Sequence, residues 1–271
     1  MGVYDIILKP ILRHMDLDKA SRISMRYFHL VGKIPFLRFI NRRVIYKNRP
    51  EGLEREVFGL QFYNPVGLGA GLDIHGTLYN DLNDLGFSFV EIGPVNAKII
   101  RGAINHLKDD PQDDILAVCI NEDYLTAFTL GYDFFDFFVI DVSADPSVEY
   151  LNSVLEARLA EQVYKPIVLK IPEFVSLESL ARIIDFCLLN SVDGIETRSL
   201  DHIKYIKEYS RGLMTIIANT HVDSPEAAKE ALDAGASLVE MRTGLVRQGP
   251  SVVDKTLKYL LKQKVTNADT V

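Results

Sequence analysis

The sequence is poor in the features that mark secreted, metal-bound or membrane-spanning proteins. It has two cysteines, Cys119 and Cys187, far apart and each in an apolar setting. Neither sits in a metal-type or redox-type spacing, which points to a reducing, cytoplasmic environment. No run of about 18 apolar residues occurs, so no segment is expected to span a bilayer. The N-terminus lacks the long apolar stretch of a secretory signal. His75 and His221 have no third ligand at a suitable spacing, which argues against a metal site. There is no dinucleotide glycine fingerprint, no internal repeat and no low-complexity segment.

What is present suits one large α/β domain with a short appendage. The 271 residues are 48% hydrophobic and 25% charged, enough apolar material for a sizeable core. The net charge of −7 hides an asymmetry. Residues 1–50 carry 4 Lys and 7 Arg against 3 Asp, a surplus of 8 positive charges, and the rest of the chain therefore stands at −15. A basic arm on an acidic body implies an anionic partner for the arm alone. Its interleaved apolar residues favour a membrane surface over nucleic acid, and none of the chain is expected to bind nucleic acid.

Within that arm, residues 3–14 and 18–31 read as two helices, the second with Ala20, Ile23, Tyr27, Leu30 and Val31 at helical spacing and Asp16 or Asp18 as its cap. Pro35 ends the pair, and Phe36, Leu37, Phe39 and Ile40 follow among Arg38, Arg42 and Arg43. Such a segment suits a lipid interface; the alternative is a helical hairpin packed on the body of the protein. From residue 56 the rhythm changes. Short apolar runs at 66–70, 87–93, 115–120, 137–143, 166–171, 192–197, 214–219 and 237–243 alternate with amphipathic stretches. Eight runs, most followed by a helical pattern, predict eight parallel strands closing as a β/α (TIM) barrel, with a doubly wound sheet as the weaker alternative. Ser176 is placed to cap a helix over 177–190; Ser224, Pro225 and Gly235 bracket another over 224–234. The stretch 96–114 reads as a long polar loop, 122–132 as a short helix, and 264–271 as a frayed tail.

Barrel chemistry belongs at the C-terminal ends of the strands. That rule selects Gly69–Asp73 with Ile74 and His75, then 93–96, 119–121, 141–145, Lys170, Arg198, 218–221 and 242–244. Lys170 ends its strand pointing into the mouth. A buried ammonium needs an anionic partner, so Lys170 contacts either a ligand anion or Asp141 or Asp145. Either aspartate is a candidate proton acceptor or a helix cap. Thr243-Gly244 after the eighth strand offers half of a phosphate cradle; 218–221 after the seventh has no glycine to offer the other half.

The segment 58–73, FGLQFYNPVGLGAGLD, is similar to the first-strand motif of the dihydroorotate dehydrogenases. The opening, with Tyr4, Lys9-Pro10, Asp16, Lys19-Ala20 and Arg26, resembles the helical extension of the quinone-using, membrane-associated class 2 branch. Leu85-Gly86-Phe87, Val90-Glu91-Ile92-Gly93 and the stretch from Ala234 to Pro250 also match, so the resemblance covers nearly the whole chain, which is shorter than usual for the class. It implies a helical extension over 1–50, a barrel over 51–271, FMN as cofactor, a small-molecule ligand in the barrel mouth, quinone as electron acceptor and a peripheral place at the cytoplasmic membrane. The family oxidises dihydroorotate to orotate in pyrimidine synthesis. The cofactor positions that carry over are Ala70, Gly71, Lys170, Thr243 and Gly244.

Other positions depart from the family pattern. The substrate lysine falls on Ile74 and the following asparagine on His75; a flavin-contacting threonine falls on Pro94. The catalytic serine falls on Ala144, whose methyl group cannot accept a proton, with Asp141 and Pro146 at the asparagine positions around it. The strand-seven glycine motif falls on 218–222 with no glycine kept, and the Thr-Asn pair after strand six has no clean match near 197–199. These departures imply a pseudoenzyme, with the family activity lost or strongly altered. One alternative is an active FMN enzyme with a relocated base, Ser143 or Asp145. Another is a non-catalytic module that binds a membrane surface or a protein partner.

Overall fold

The computed structural model describes residues 4–32, 34, 51–112, 114–143, 151–219 and 222–268. The chain begins with a helical turn, Tyr4–Leu8, running into α1 (Lys9–Leu12) and then α2 (Leu17–Gly32). Asp16 starts α2: its carboxylate accepts from the N–H groups of Asp18 and Lys19. After residue 50 a two-strand hairpin forms, β1 (Arg55–Val57) paired antiparallel with β2 (Leu60–Phe62). Its two-residue turn places Phe58 at φ 57 and Gly59 at φ 77, the left-handed pair that suits a tight hairpin. The apolar rhythm does not separate this hairpin from the strand that follows it.

Eight parallel strands then form the sheet. They are β3 (Val66–Gly67), β4 (Phe89–Val95), β5 (Ile115–Ile120), β6 (Phe137–Asp141), β7 (Ile167–Lys170), β8 (Gly194–Thr197), β9 (Thr215–Ala218) and β10 (Leu238–Glu240). Each pairs with the next, β10 pairs with β3, and a parallel bridge between Leu68 and Val90 joins β3 to β4 and closes the ring. The expected eight-stranded β/α barrel is the architecture found. Side chains alternate in and out along each strand. Val90, Ile92, Val118, Phe138, Ile140, Leu169, Ile195, Ile216 and Val239 face outward into the main apolar core. The helices that cover them are α3 (Tyr79–Asn83), α4 (Ala97–Asp109), α5 (Tyr124–Gly131), α6 (Asn152–Leu159), α7 (Leu177–Leu189), α8 (Leu200–Tyr209), α9 (Pro225–Ala234), α10 (Arg242–Gln248) and α11 (Ser251–Ala268).

Ser176 and Ser224 cap α7 and α9 as the sequence predicts, and Gly235 ends α9. Three expectations fail. The stretch after Asn96 is not a loop: Asn96 accepts from the N–H groups of Lys98 and Ile99, and α4 runs from there with Ile100, Ala103, Ile104 and Leu107 buried. Its charged outer face hid that stripe. The last barrel strand stops at Glu240 rather than 243, because Arg242 already begins α10. The backbone of α11 continues to Ala268 rather than fraying from 264.

The inner face of the barrel is a second apolar cluster, sealed at its N-terminal end by the hairpin. Phe89 and Phe137 are the first residues of their strands, so their rings lie at that end. Phe62 meets Phe89 with ring centroids 5.5 Å apart, and Phe58 meets Phe137 at 5.9 Å. At the other flank α1 and α2 rest on α10. The buried Tyr4 hydroxyl donates to the Val246 carbonyl at 2.5 Å and meets Ser24 Oγ at 2.8 Å, while its ring packs on Tyr27 and Phe28. Ile6, Ile7, Ile11 and Leu30 stay exposed on the same helices. The aromatic and basic segment 35–50 lies outside the described residues. No helix among the described residues is long and apolar enough to cross a membrane.

Candidate functional site at the barrel mouth

The upper part of the barrel interior is charged. Glu91, Lys170, Glu196 and Glu240 come from β4, β7, β8 and β10, and each stands two residues beyond an inward position at the bottom of its strand. The ammonium of Lys170 lies 2.6 Å from Glu196 Oε1 and 3.9 Å from Glu91 Oε1. The Lys170 side chain is 13% exposed and both glutamates are fully buried. Burial works against the Lys170 charge, but the carboxylates of Glu196 and Glu91 outweigh it and hold its pKa well above the lysine value. Burial, reinforced by Glu91, pushes the Glu196 carboxyl up to about 7. Burial and the neighbouring Glu196 and Glu91 push Glu240 well above the usual carboxylate range. Asn219, just past β9, donates from Nδ2 to Glu196 Oε1 at 2.7 Å.

Lys170 is therefore paired, but with neither Asp141 nor Asp145. β7 lies beside β8 in register, and Lys170 and Glu196 are direct neighbours on the inner face. Glu91, Glu196 and Glu240 are not among the residues that the strand-end rule selects as a group. The signal was present: each is a lone glutamate inside an apolar strand, in Phe89-Val90-Glu91, Gly194-Ile195-Glu196 and Leu238-Val239-Glu240.

Above this layer lies a guanidinium. Arg242 packs directly against the backbone of Gly71 and donates to the Ala70 carbonyl at 3.3 Å. Gly71 has φ 105, and a Cβ there would collide with the Arg242 side chain. Burial lowers the Arg242 pKa, and the nearby charge of Arg198 lowers it further. Arg198 reaches Glu173 at 3.8 Å, and its buried Nε has no partner among the described residues. At the foot of α10, Gly244 is buried against the chain itself. A Cβ there would lie 2.9 Å from the Met241 side chain, 3.0 Å from the Val222 carbonyl and 3.1 Å from Asp223 Cα. Thr243, beside it, is half-buried.

The other expected positions are more scattered. Ser143 is exposed, and both its N–H and its hydroxyl donate to Asp141 Oδ1. Ala144, Asp145 and Pro146 lie outside the described residues, as does His221. His75 and Asn121 are exposed. Asp73 is buried and accepts from the N–H groups of Thr77 and Leu78, a turn-holding role. Burial raises its pKa, and those two hydrogen bonds counter the rise.

No family model matches the chain. A protein of Christiangramia forsetii named dihydroorotate dehydrogenase (quinone) is 25% identical over 345 residues, covering 96% of this chain and 99% of the relative. One from Nostoc punctiforme, of the same name, is 25% identical over 364 residues, covering 98% and 96%. A third, from Actinobacillus pleuropneumoniae serotype 3, reaches 26% over 342 residues. The chain is a distant relative of the quinone-type dihydroorotate dehydrogenases. With 271 residues it is shorter than those alignments, so the relatives carry segments that it lacks. Two crystal structures of dihydroorotate dehydrogenase from Eimeria tenella share the fold. The ferulenol complex superposes with TM-score 0.70 at 19% identity, over 79% of this chain and 85% of that one. The ligand-free form gives 0.69 at 17%, over 82% and 94%.

Proposed function

We propose that this chain is a flavin-free relative of the dihydroorotate dehydrogenases, and that its barrel mouth takes a small anion through Arg198 and Arg242. One observation carries the reading: the Arg242 guanidinium sits on the Ala70–Gly71 backbone, in the space that the family resemblance assigns to the cofactor. Lys170 supports it, since its charge is already matched by Glu196. Gly244 supports it too, because Val222, Asp223 and Met241 close the approach that a phosphate would need. The residues present do not fit FMN, and dihydroorotate oxidation is lost with it. Purified protein is expected to show no flavin band near about 450 nm and no dihydroorotate-dependent quinone reduction. A stoichiometric flavin spectrum overturns this.

A second reading rests on the hydrogen bond between the Ser143 hydroxyl and Asp141. It gives the mouth a hydroxyl beside a carboxylate, the pairing of an activated proton acceptor, with Asp145 as the other candidate. That reading predicts quinone reduction that Ser143→Ala or Asp145→Asn abolishes. Flavin-loaded protein without turnover rules it out.

The arm of residues 1–50 is proposed to hold the protein at the cytoplasmic face of a membrane, where the relatives' quinone would be found. Its basic excess and the exposed Ile6, Ile7, Ile11 and Leu30 support this. Full-length chain should float with anionic liposomes and chain lacking residues 1–50 should not; equal flotation defeats the assignment.

A further inference from the structure

Three carboxylates meet inside the barrel with too little positive charge among them. Oxygens of Glu91, Glu196 and Glu240 lie within 4.8 Å of one another, and all three residues are buried. Among the described residues no hydrogen-bond donor reaches either oxygen of Glu91, either oxygen of Glu240 or Oε2 of Glu196. The remaining oxygen, Glu196 Oε1, is taken by Lys170 and Asn219. If all three are ionised, Lys170 is the one cation in direct contact and cancels one charge; Arg242, in the layer above, acts on Glu240 and Glu91 only at longer range, so the cluster itself keeps two negative charges. An uncompensated buried charge costs several kcal/mol, so the excess has to be neutralised. Either two protons or one divalent cation does this.

We propose that the interior of the barrel is a divalent-cation site, with Glu91, Glu196 and Glu240 as its ligands and Lys170 as a fixed counter-charge. A dipositive ion brings the sum of three carboxylates and one ammonium to zero. It also engages the orphaned oxygens together, whereas protons shared between pairs of carboxyls leave several buried acceptors unmatched. Among the described residues no N–H or O–H donor reaches Glu240; its carboxyl faces that of Glu91 and lies in the space that Gly69 leaves open, where a Cβ would strike it. An all-oxygen donor set selects a hard ion such as Mn²⁺ or Mg²⁺ over a thiophilic one. The three ligands are not among the assigned flavin contacts, and the site rests on the reading that Lys170 is held by Glu196 rather than by a cofactor.

The test uses the full-length chain, refolded once in EDTA and once in MnCl₂, then desalted. Wild type refolded in manganese is expected to carry about one Mn²⁺ per chain by elemental analysis, with its thermal midpoint raised over the EDTA sample. That rise should be larger at pH 8 than at pH 5.5, where protons compete for the same carboxylates. Glu240→Gln should bind less than about a tenth as much metal, yet melt in EDTA no lower than wild type, since it removes a buried charge. If Glu240→Gln does not fold, Glu240→Asp takes its place, because shortening the ligand must cost the metal as well. Two results overturn the proposal. One is wild type with no manganese and no midpoint change at pH 8, which assigns the neutralising role to protons. The other is either variant retaining wild-type manganese, which places the ion elsewhere on the protein.

Discussion

The two ends of the barrel interior are built from the same strands and have opposite character. At the N-terminal end β4, β6, β8 and β10 present Phe89, Phe137, Gly194 and Leu238, and the hairpin rings of Phe58 and Phe62 fill what remains. Two residues further along, the inward positions become Glu91 on β4, Glu196 on β8 and Glu240 on β10, with Lys170 on β7. The lower layers gain from close packing, which has no pH dependence. The upper layer is held by charge balance, which has a strong one. The fold therefore stores its tolerance at one end and its sensitivity at the other.

Substitutions at the two ends should separate these contributions. Phe137→Ala in the lower layers should cost about 3–5 kcal/mol by urea unfolding, the same at pH 5 and pH 8. Lys170→Met in the upper layer should cost a comparable amount, about 3–5 kcal/mol, at pH 8, where it strands the glutamates without a counter-charge. At pH 5 that cost should shrink sharply. Equal costs for Lys170→Met at both pH values would remove the distinction between the two ends.

The unmutated protein gives the same contrast in EDTA. Glu196 is raised from 4.5 to about 7 in the folded state, and Glu240 is raised as well. The folded chain thus keeps protons that the unfolded chain releases. The stability these groups confer is complete below about pH 4.5 and is lost as pH rises through about 7. A urea midpoint that climbs between pH 5 and pH 7.5 would contradict the assignment. A smaller effect tests the layer above. Gly71→Ala combines a left-handed backbone with a clash against Arg242, and should cost about 1–3 kcal/mol; the double variant with Arg242→Ala should recover the part due to the clash. The smallest effect belongs outside the barrel. Asn96→Ala should cost about 1 kcal/mol through the lost cap of α4, with no difference between pH 5 and pH 8.

The barrel itself was legible because its signal is repetitive. Eight apolar runs separated by capped helices leave few alternatives, and Ser176, Ser224 and Gly235 mark their helices by short-range chemistry alone. α4 was harder to see, since Lys98, Arg101, His106 and Lys108 on its outer face dilute a stripe of only four apolar positions. The site was legible only in part. Lys170 stands out as a lysine ending an apolar strand, but its partners lie 26 or more residues away in sequence and meet it only through the register of a closed sheet. Arg242 could be placed at a strand end but not over Gly71, because that contact spans the first and last strands of the ring. Residue type and local period report what a segment forms; ring closure decides which charges meet.

The clasp at Tyr4 ties two distant parts of the molecule together. Its hydroxyl grips the Val246 carbonyl in α10, and Arg242, at the start of that same seven-residue helix, stands in the mouth. About one helical turn, roughly 6 Å from Arg242 to Val246, therefore separates the packed N-terminal helices from the guanidinium above the ring of acids. The exposed Ile6, Ile7 and Ile11 thus lie on the same helices whose buried tyrosine is anchored beside the residue that lines the cavity.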